Sequence, residues 1–153
     1  MEMTGNKQLL SYHKIGFLAS SHIDVAEVMG CFEWASKKME KNTCVISGFS
    51  SKMERDVLHF LLLARTPVII VLARQLYKNI PEEWQPAFHD NQMLILSLSN
   101  ASRQSRELAF KRNEYIAESA DELLFTGVTE TSSLYPLVKR FNSKVIRLDD
   151  FNK

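Results

Sequence analysis

At 153 residues with 45% hydrophobic side chains, the chain is long enough to bury one full core, whereas two domains would each be very small. A formal net charge of +1 with 24% charged residues gives no global push towards nucleic acid or a membrane surface, so an anion-binding face has to come from local clustering of Lys and Arg. One domain spanning 1–153 is the expectation.

The first dozen residues (1–12) carry little pattern and read as a loose N-terminal arm. Lys14 to Ala19 (K-I-G-F-L-A) is a short, nearly continuous apolar run, the kind buried on both faces of a parallel sheet. The polar loop Ser20, Ser21, His22 follows, and Asp24 is placed to cap a helix whose apolar positions Val25, Val28, Met29, Phe32, Ala35 and Met39 recur at intervals of three and four. Its tail of Lys37, Lys38 and Lys41 reads as a basic last turn complementing the helix dipole. Cys44 to Ile46 is the next strand, ending in Ser47 and Gly48.

The loop F-S-S-K-M-E-R-D (Phe49 to Asp56) carries Lys52 and Arg55 and opens a helix running from Val57 to about Ala64. The strand Val68 to Leu72 leads to a third loop, Ala73 to Pro81, holding Arg74, Tyr77 and Lys78. A helix over Glu82 to His89, a strand over Met93 to Leu98 and a polar loop over Ser99 to Ser105 come next. Phe110, Lys111, Arg112 and Asn113 read as a basic turn leading into a helix that ends near Asp121. The strand Leu123 to Phe125, a Thr/Ser-rich loop, a helix over Ser133 to Phe141 and a strand over Lys144 to Leu148 close the chain. Six strands alternating with helices predict a Rossmann-like three-layer α/β sandwich with a mainly parallel sheet.

The polar loops after such strands are where phosphate or carboxylate groups bind, and Gly127 to Ser133 is one of them. Conventional enzyme signatures are missing. I-G-F-L-A-S-S stands where a dinucleotide-binding domain has G-x-G-x-x-G, and there is no G-x-x-x-x-G-K-[ST] and no G-x-S-x-G elbow. The four histidines, His13, His22, His59 and His89, have no metal-ligand spacing, and Cys31 and Cys44 sit in apolar company as buried free thiols. The run Leu58 to Leu72 is interrupted by Arg65, Thr66 and Pro67, so no segment has the length and apolarity of a membrane span. With no signal-peptide pattern at the N-terminus, a cytoplasmic location is the expectation.

Laid end to end, the loops resemble the Rossmann-like core of the DprA/Smf family of DNA-processing proteins, part of the SLOG superfamily. The pieces are Ala19-Ser20-Ser21, Ser47 to His59, Val71 to Pro81, Ile95 to Ser99, Phe110 to Ala120, and Leu124 to Leu134. Their order and spacing carry the resemblance over about Lys14 to Leu148, and R-N-E-Y-I-A is the most specific piece. The departures are Ser21 for a family Arg, Met53-Glu54-Arg55 for a G-I-D segment with one extra residue before His59, and Ser132 for a Gly. Glycines in such loops let backbone amides approach a phosphate, so a diverged member with altered anion binding is implied.

The resemblance implies single-stranded DNA binding in DNA uptake or recombination, a recombinase partner and a homodimer. It places nucleic-acid or phosphate contacts at Ser20, Ser21, Ser47, Gly48, Lys52, Arg112, Asn113, Ser132 and Ser133, with no catalytic residue, cofactor or metal. The residues themselves add a local cluster of Arg103, Arg106, Lys111 and Arg112, and the aromatics Phe110 and Tyr115, which either stack bases or belong to the core. Two other readings stay open. One is a nucleotide or nucleotide-derivative sensor, or a phosphoribohydrolase-like enzyme, of which T-G-V-T-E-T-S-S-L is a distant echo with Glu130 displaced as a catalytic acid. The other is a degenerate member acting through protein contacts without a ligand.

Overall fold

The computed structural model describes residues 1–150. The last three residues of the expected domain lie outside the described ones. In chain order the elements are β1 (Glu2–Gly5), a 3₁₀ turn (Lys7–Ser11), β2 (His13–Ala19), α1 (Val25–Ser36), β3 (Thr43–Ser47), α2 (Lys52–Leu63) and β4 (Val68–Leu72). A 3₁₀ turn (Glu82–Trp84) then runs into α3 (Gln85–His89), followed by β5 (Met93–Ser97), α4 (Arg106–Ser119), β6 (Glu122–Thr126), α5 (Tyr135–Arg140) and β7 (Val145–Ile146).

The strands form one sheet in the order β1-β5-β4-β3-β2-β6-β7, parallel throughout except for β1. The α/β class and the mainly parallel sheet follow from strands that are apolar on both faces. Val68, Ile70 and Leu72 of β4 enter one core with Trp34 of α1 and Val57 and Leu61 of α2. Ile69 and Val71 enter the other, with Ile116 and Ala117 of α4 and Leu137 of α5. Alternate side chains of one strand thus bury on opposite faces, which the period of two requires of a sheet covered by helices on both sides.

Three helices start at a side chain that closes their first turn. Asp24 Oδ1 accepts from Glu27 N at 2.9 Å, Ser51 Oγ from Glu54 N at 3.2 Å and Ser105 Oγ from Leu108 N at 3.1 Å.

The first dozen residues are not a loose arm. Glu2 to Gly5 pair antiparallel with Ser97 to Leu94, and Leu9 is buried at 1% exposure in the second core. Four residues with no alternation give no strand signal; the open edge of β5 supplies the ladder that orders them.

Other boundaries move for local reasons. α1 ends at Ser36, because Lys37 takes an extended conformation (φ −83, ψ 146), so the lysine tail follows the helix instead of forming its last turn. Phe110 to Asn113 lie inside α4, whose cap is five residues earlier at Ser105. The last strand is the two-residue β7, paired with Leu123 and Leu124 of β6.

Candidate functional site

β2 is followed in sequence by strands on one side of it and has β6 on the other, so the chain reverses direction across the sheet between them. Loops leaving the carboxyl ends of strands diverge at such a switch point and open a crevice. A cleft of about 550 Å³ lies there, walled by Ser20 and Ser21 after β2, Ser50 and Ser51 after β3, and Ser132 and Ser133 after β6. Arg112 and Asn113 of α4 also line it.

The loop after β6 can close against the loop after β2 because of Gly127. It has φ +68, and a Cβ there would lie 2.5 Å from Ile23 Cγ1 and 2.7 Å from the His22 carbonyl oxygen. Glu27 Oε1 accepts from Gly127 N at 3.2 Å, and Ser132 Oγ accepts from Thr129 N at 2.9 Å, so the loop is pinned at two points.

Arg112 is the central side chain. It is 4% exposed, Nε donates to Asn113 Oδ1 at 3.2 Å, and Nη1 donates to Gln104 Oε1 at 3.0 Å. Both partners are neutral, Nη2 makes no hydrogen bond among the described residues, and no carboxylate forms an ion pair with the guanidinium there. Burial pushes the Arg112 pKa below its ordinary value, and the Glu54 carboxylate pulls it back up. An arginine remains protonated under such a load, so a buried positive charge faces the cleft.

Glu54 is itself buried, at 5% exposure. Its Oε2 accepts from Ala19 N at 3.0 Å, and Oε1 accepts from Ser50 N at 3.1 Å and Ser51 N at 3.3 Å. Amides at the ends of two strands therefore converge on an internal carboxylate, in an arrangement that elsewhere would cradle an anion. Glu54 also completes a capping box with Ser51. Those amides are occupied, which leaves Arg112, the loop hydroxyls and the loop after β6 as the groups available to a ligand.

The nine sequence-predicted residues divide. Ser20, Ser21, Arg112, Asn113, Ser132 and Ser133 share the cleft. Gly48 lies on the far side of Arg112, where the absence of a Cβ makes room for the guanidinium. Ser47 is fully buried and its Oγ accepts from Phe49 N at 3.2 Å, so it shapes the turn instead of facing a ligand. That turn holds Phe49 at φ 47 with its ring in the core. Lys52 points away, exposed, and pairs with Asp56 at 2.8 Å one turn along α2.

Of the basic cluster, Arg103, Arg106 and Lys111 are exposed, and Lys111 pairs with Glu107 at 3.2 Å. Phe110 is 39% exposed, while Tyr115 packs on the second core. Glu130 is exposed and stands outside the cleft walls.

Sequence reasoning named Glu54 only within the Met53-Glu54-Arg55 departure, without a role of its own, and passed over Gln104. The S-x-x-E spacing of Ser51 and Glu54 is a capping-box signature and would have found the first. No signal marks Gln104. Among the described residues no group of acidic, His or Cys side chains is arranged to hold a metal, and no helix is long and apolar enough to cross a membrane.

The fold defines a Rossmann-like α/β domain with a crevice at the switch point. No protein-family model and no curated protein matches the sequence. Among solved structures, DNA processing protein A (DprA) from Streptococcus pneumoniae superposes with a TM-score of 0.75 at 16% identity, over 95% of this chain and 53% of that one. DNA processing protein A from Helicobacter pylori, whose structure concerns its single-stranded DNA binding mode, superposes with a TM-score of 0.72 at 14% identity, over 95% of this chain and 69% of that one. The chain has a DprA-like Rossmann-type fold and spans about half the length of the Streptococcus pneumoniae protein.

Proposed function

We propose that the chain is a DprA-like DNA-processing protein that binds single-stranded DNA, seating a backbone phosphate against Arg112 in the cleft between the loops after β2 and β6. The observation that carries this is the buried Arg112 guanidinium with only neutral hydrogen-bond partners. A cation removed from water costs several kcal/mol unless an anion compensates it, and Glu54 does so only from beyond ion-pair distance. The hydroxyls of Ser20, Ser21, Ser132 and Ser133 then supply neutral donors around the phosphate. The likeness of fold to a protein with a single-stranded DNA binding mode supports the choice of polymer. On this reading the chain is a binding protein in the cytoplasm, acting as a homodimer that passes its strand to a recombinase; these finer parts rest on the family resemblance.

Anisotropy of a labelled oligo-dT at low salt tests the reading, with binding expected in the non-specific range of roughly 10⁻⁴ to 10⁻⁶ M. Competition by a mononucleotide as effective as the unlabelled strand would turn the reading towards a nucleotide sensor.

A further inference from the structure

Arg112 also lines a second, smaller cleft of about 230 Å³, on the β4 side of the first. Its walls carry Arg55, Arg74, Tyr77, Trp84 and Gln104. The Arg74 guanidinium carbon stands 4.4 Å above the Tyr77 ring, and Tyr77 meets Trp84 edge-on at a centroid distance of 5.9 Å. Tyr77 is nonetheless 38% exposed, so its ring is held by neighbours while open to the cleft.

The loop that bears these groups is fixed. Ser97 Oγ stands 2.6 Å from the Arg74 carbonyl oxygen and 2.7 Å from that of Ser99, with one proton to donate between them, and Gln75 N donates to Ala101 O at 2.8 Å, tying the loops after β4 and β5 together. Gln104 spends its carbonyl oxygen on Arg112, which turns its amide NH₂ outward as a donor with no partner among the described residues. Glu83, the acid of this cleft, faces His59 at 3.7 Å. The cleft therefore offers an aromatic face, planar cations and amide donors.

We infer that this second cleft is a base-binding subsite of the same strand: a nucleotide whose phosphate sits on the first side of Arg112 lays its base on the second, stacked against the Tyr77–Arg74 pair, whose ring and guanidinium already touch. Planar guanidinium and phenol faces suit a nucleobase, and stacking on an aromatic ring is tolerant of sequence. The outward Gln104 donor and the arginine N–H groups face acceptors, so a base edge rich in carbonyl oxygen, such as thymine, fits better than one presenting an amino group.

The inference rests on the single-stranded DNA reading, and two oligomers of equal length separate the failures: dT, and an abasic strand with the same sugar-phosphate backbone. Binding of dT is expected to be tighter than that of the abasic strand, and Tyr77→Ala is expected to weaken dT about tenfold, in the range of one lost stack, while leaving the abasic strand unchanged. Tyr77→Phe keeps the ring and is expected to stay within about twofold of the parent. Trp34 is 2% exposed in the core, so quenching of tryptophan emission by dT and not by the abasic strand reports a base arriving beside Trp84. Equal affinities for the two strands, with Tyr77→Ala lowering both or neither, would overturn the subsite and leave the DNA reading in place. No binding of either strand would overturn both.

Discussion

Gly48 lies so close to Arg112 that a Cβ at position 48 would sit 2.6 Å from Arg112 Nε and 2.7 Å from Cζ. The glycine after β3 is therefore a seat for the guanidinium that divides the two clefts. Gly48→Ala is expected to displace Arg112 and to destabilise the fold by about 1–3 kcal/mol, the usual cost of overpacking a filled space. In an Arg112→Ala background the same substitution is expected to cost little, because the clashing group is gone. Urea unfolding of both single variants and the double variant measures this coupling, and additive effects would mean that the two residues do not compete for the space.

Glu54 is expected to matter for stability more than its place at a cleft suggests. Glu54→Ala removes the acceptor of the Ala19, Ser50 and Ser51 amides and opens the capping box, with an expected loss of about 2–4 kcal/mol. Glu54→Gln keeps the shape but turns one acceptor into a donor facing an amide, and an intermediate loss is expected. A shift of the urea midpoint too small to measure in Glu54→Ala would show that water serves those amides equally well.

Alkaline stability is expected to follow Cys44. Burial pushes its thiol up to about 12, whereas an unfolded chain releases that proton near pH 8.5. The unfolded state therefore gains thiolate first, so stability is full below about pH 8.5 and declines as pH rises towards 12. Cys31, raised chiefly by burial as well, adds in the same direction. Unfolding midpoints between pH 8 and 11 should fall in the parent and fall less in Cys44→Ala. Slopes that match in the two proteins would assign the alkaline loss to other groups.

The sheet was legible because β4 (V-I-I-V-L) and β5 (M-L-I-L-S) are apolar without alternation, which suits a strand covered on both faces. β1 was not, since E-M-T-G acquires its order from the β5 edge, a long-range pairing that leaves no mark in four residues. At the site, the small hydroxyl residues of three loops were legible as one group, and they line a common cleft. The placement of charges was not legible. Lys52 and Arg112 both read as basic residues of a loop or turn leading into a helix, yet one is exposed and paired with Asp56 along α2, while the other is buried within α4 against Gly48, 64 positions away in sequence numbering. Burial of an arginine depends on a gap in a distant loop, which no local pattern encodes.

The most direct test of the account is a salt series of oligo-dT titrations on the parent, Arg112→Gln and Lys52→Ala, with folding of each checked by circular dichroism. Each phosphate contact releases counterions and adds about −0.7 to the slope of log affinity against log salt on single strands. Arg112→Gln is expected to bind about tenfold or more weakly at low salt, with a slope shallower by about one contact. Lys52→Ala is expected to track the parent, because that side chain stands outside the cleft in an ion pair with Asp56. A folded Arg112→Gln that keeps the parent's affinity and slope would contradict the placement of a phosphate at Arg112.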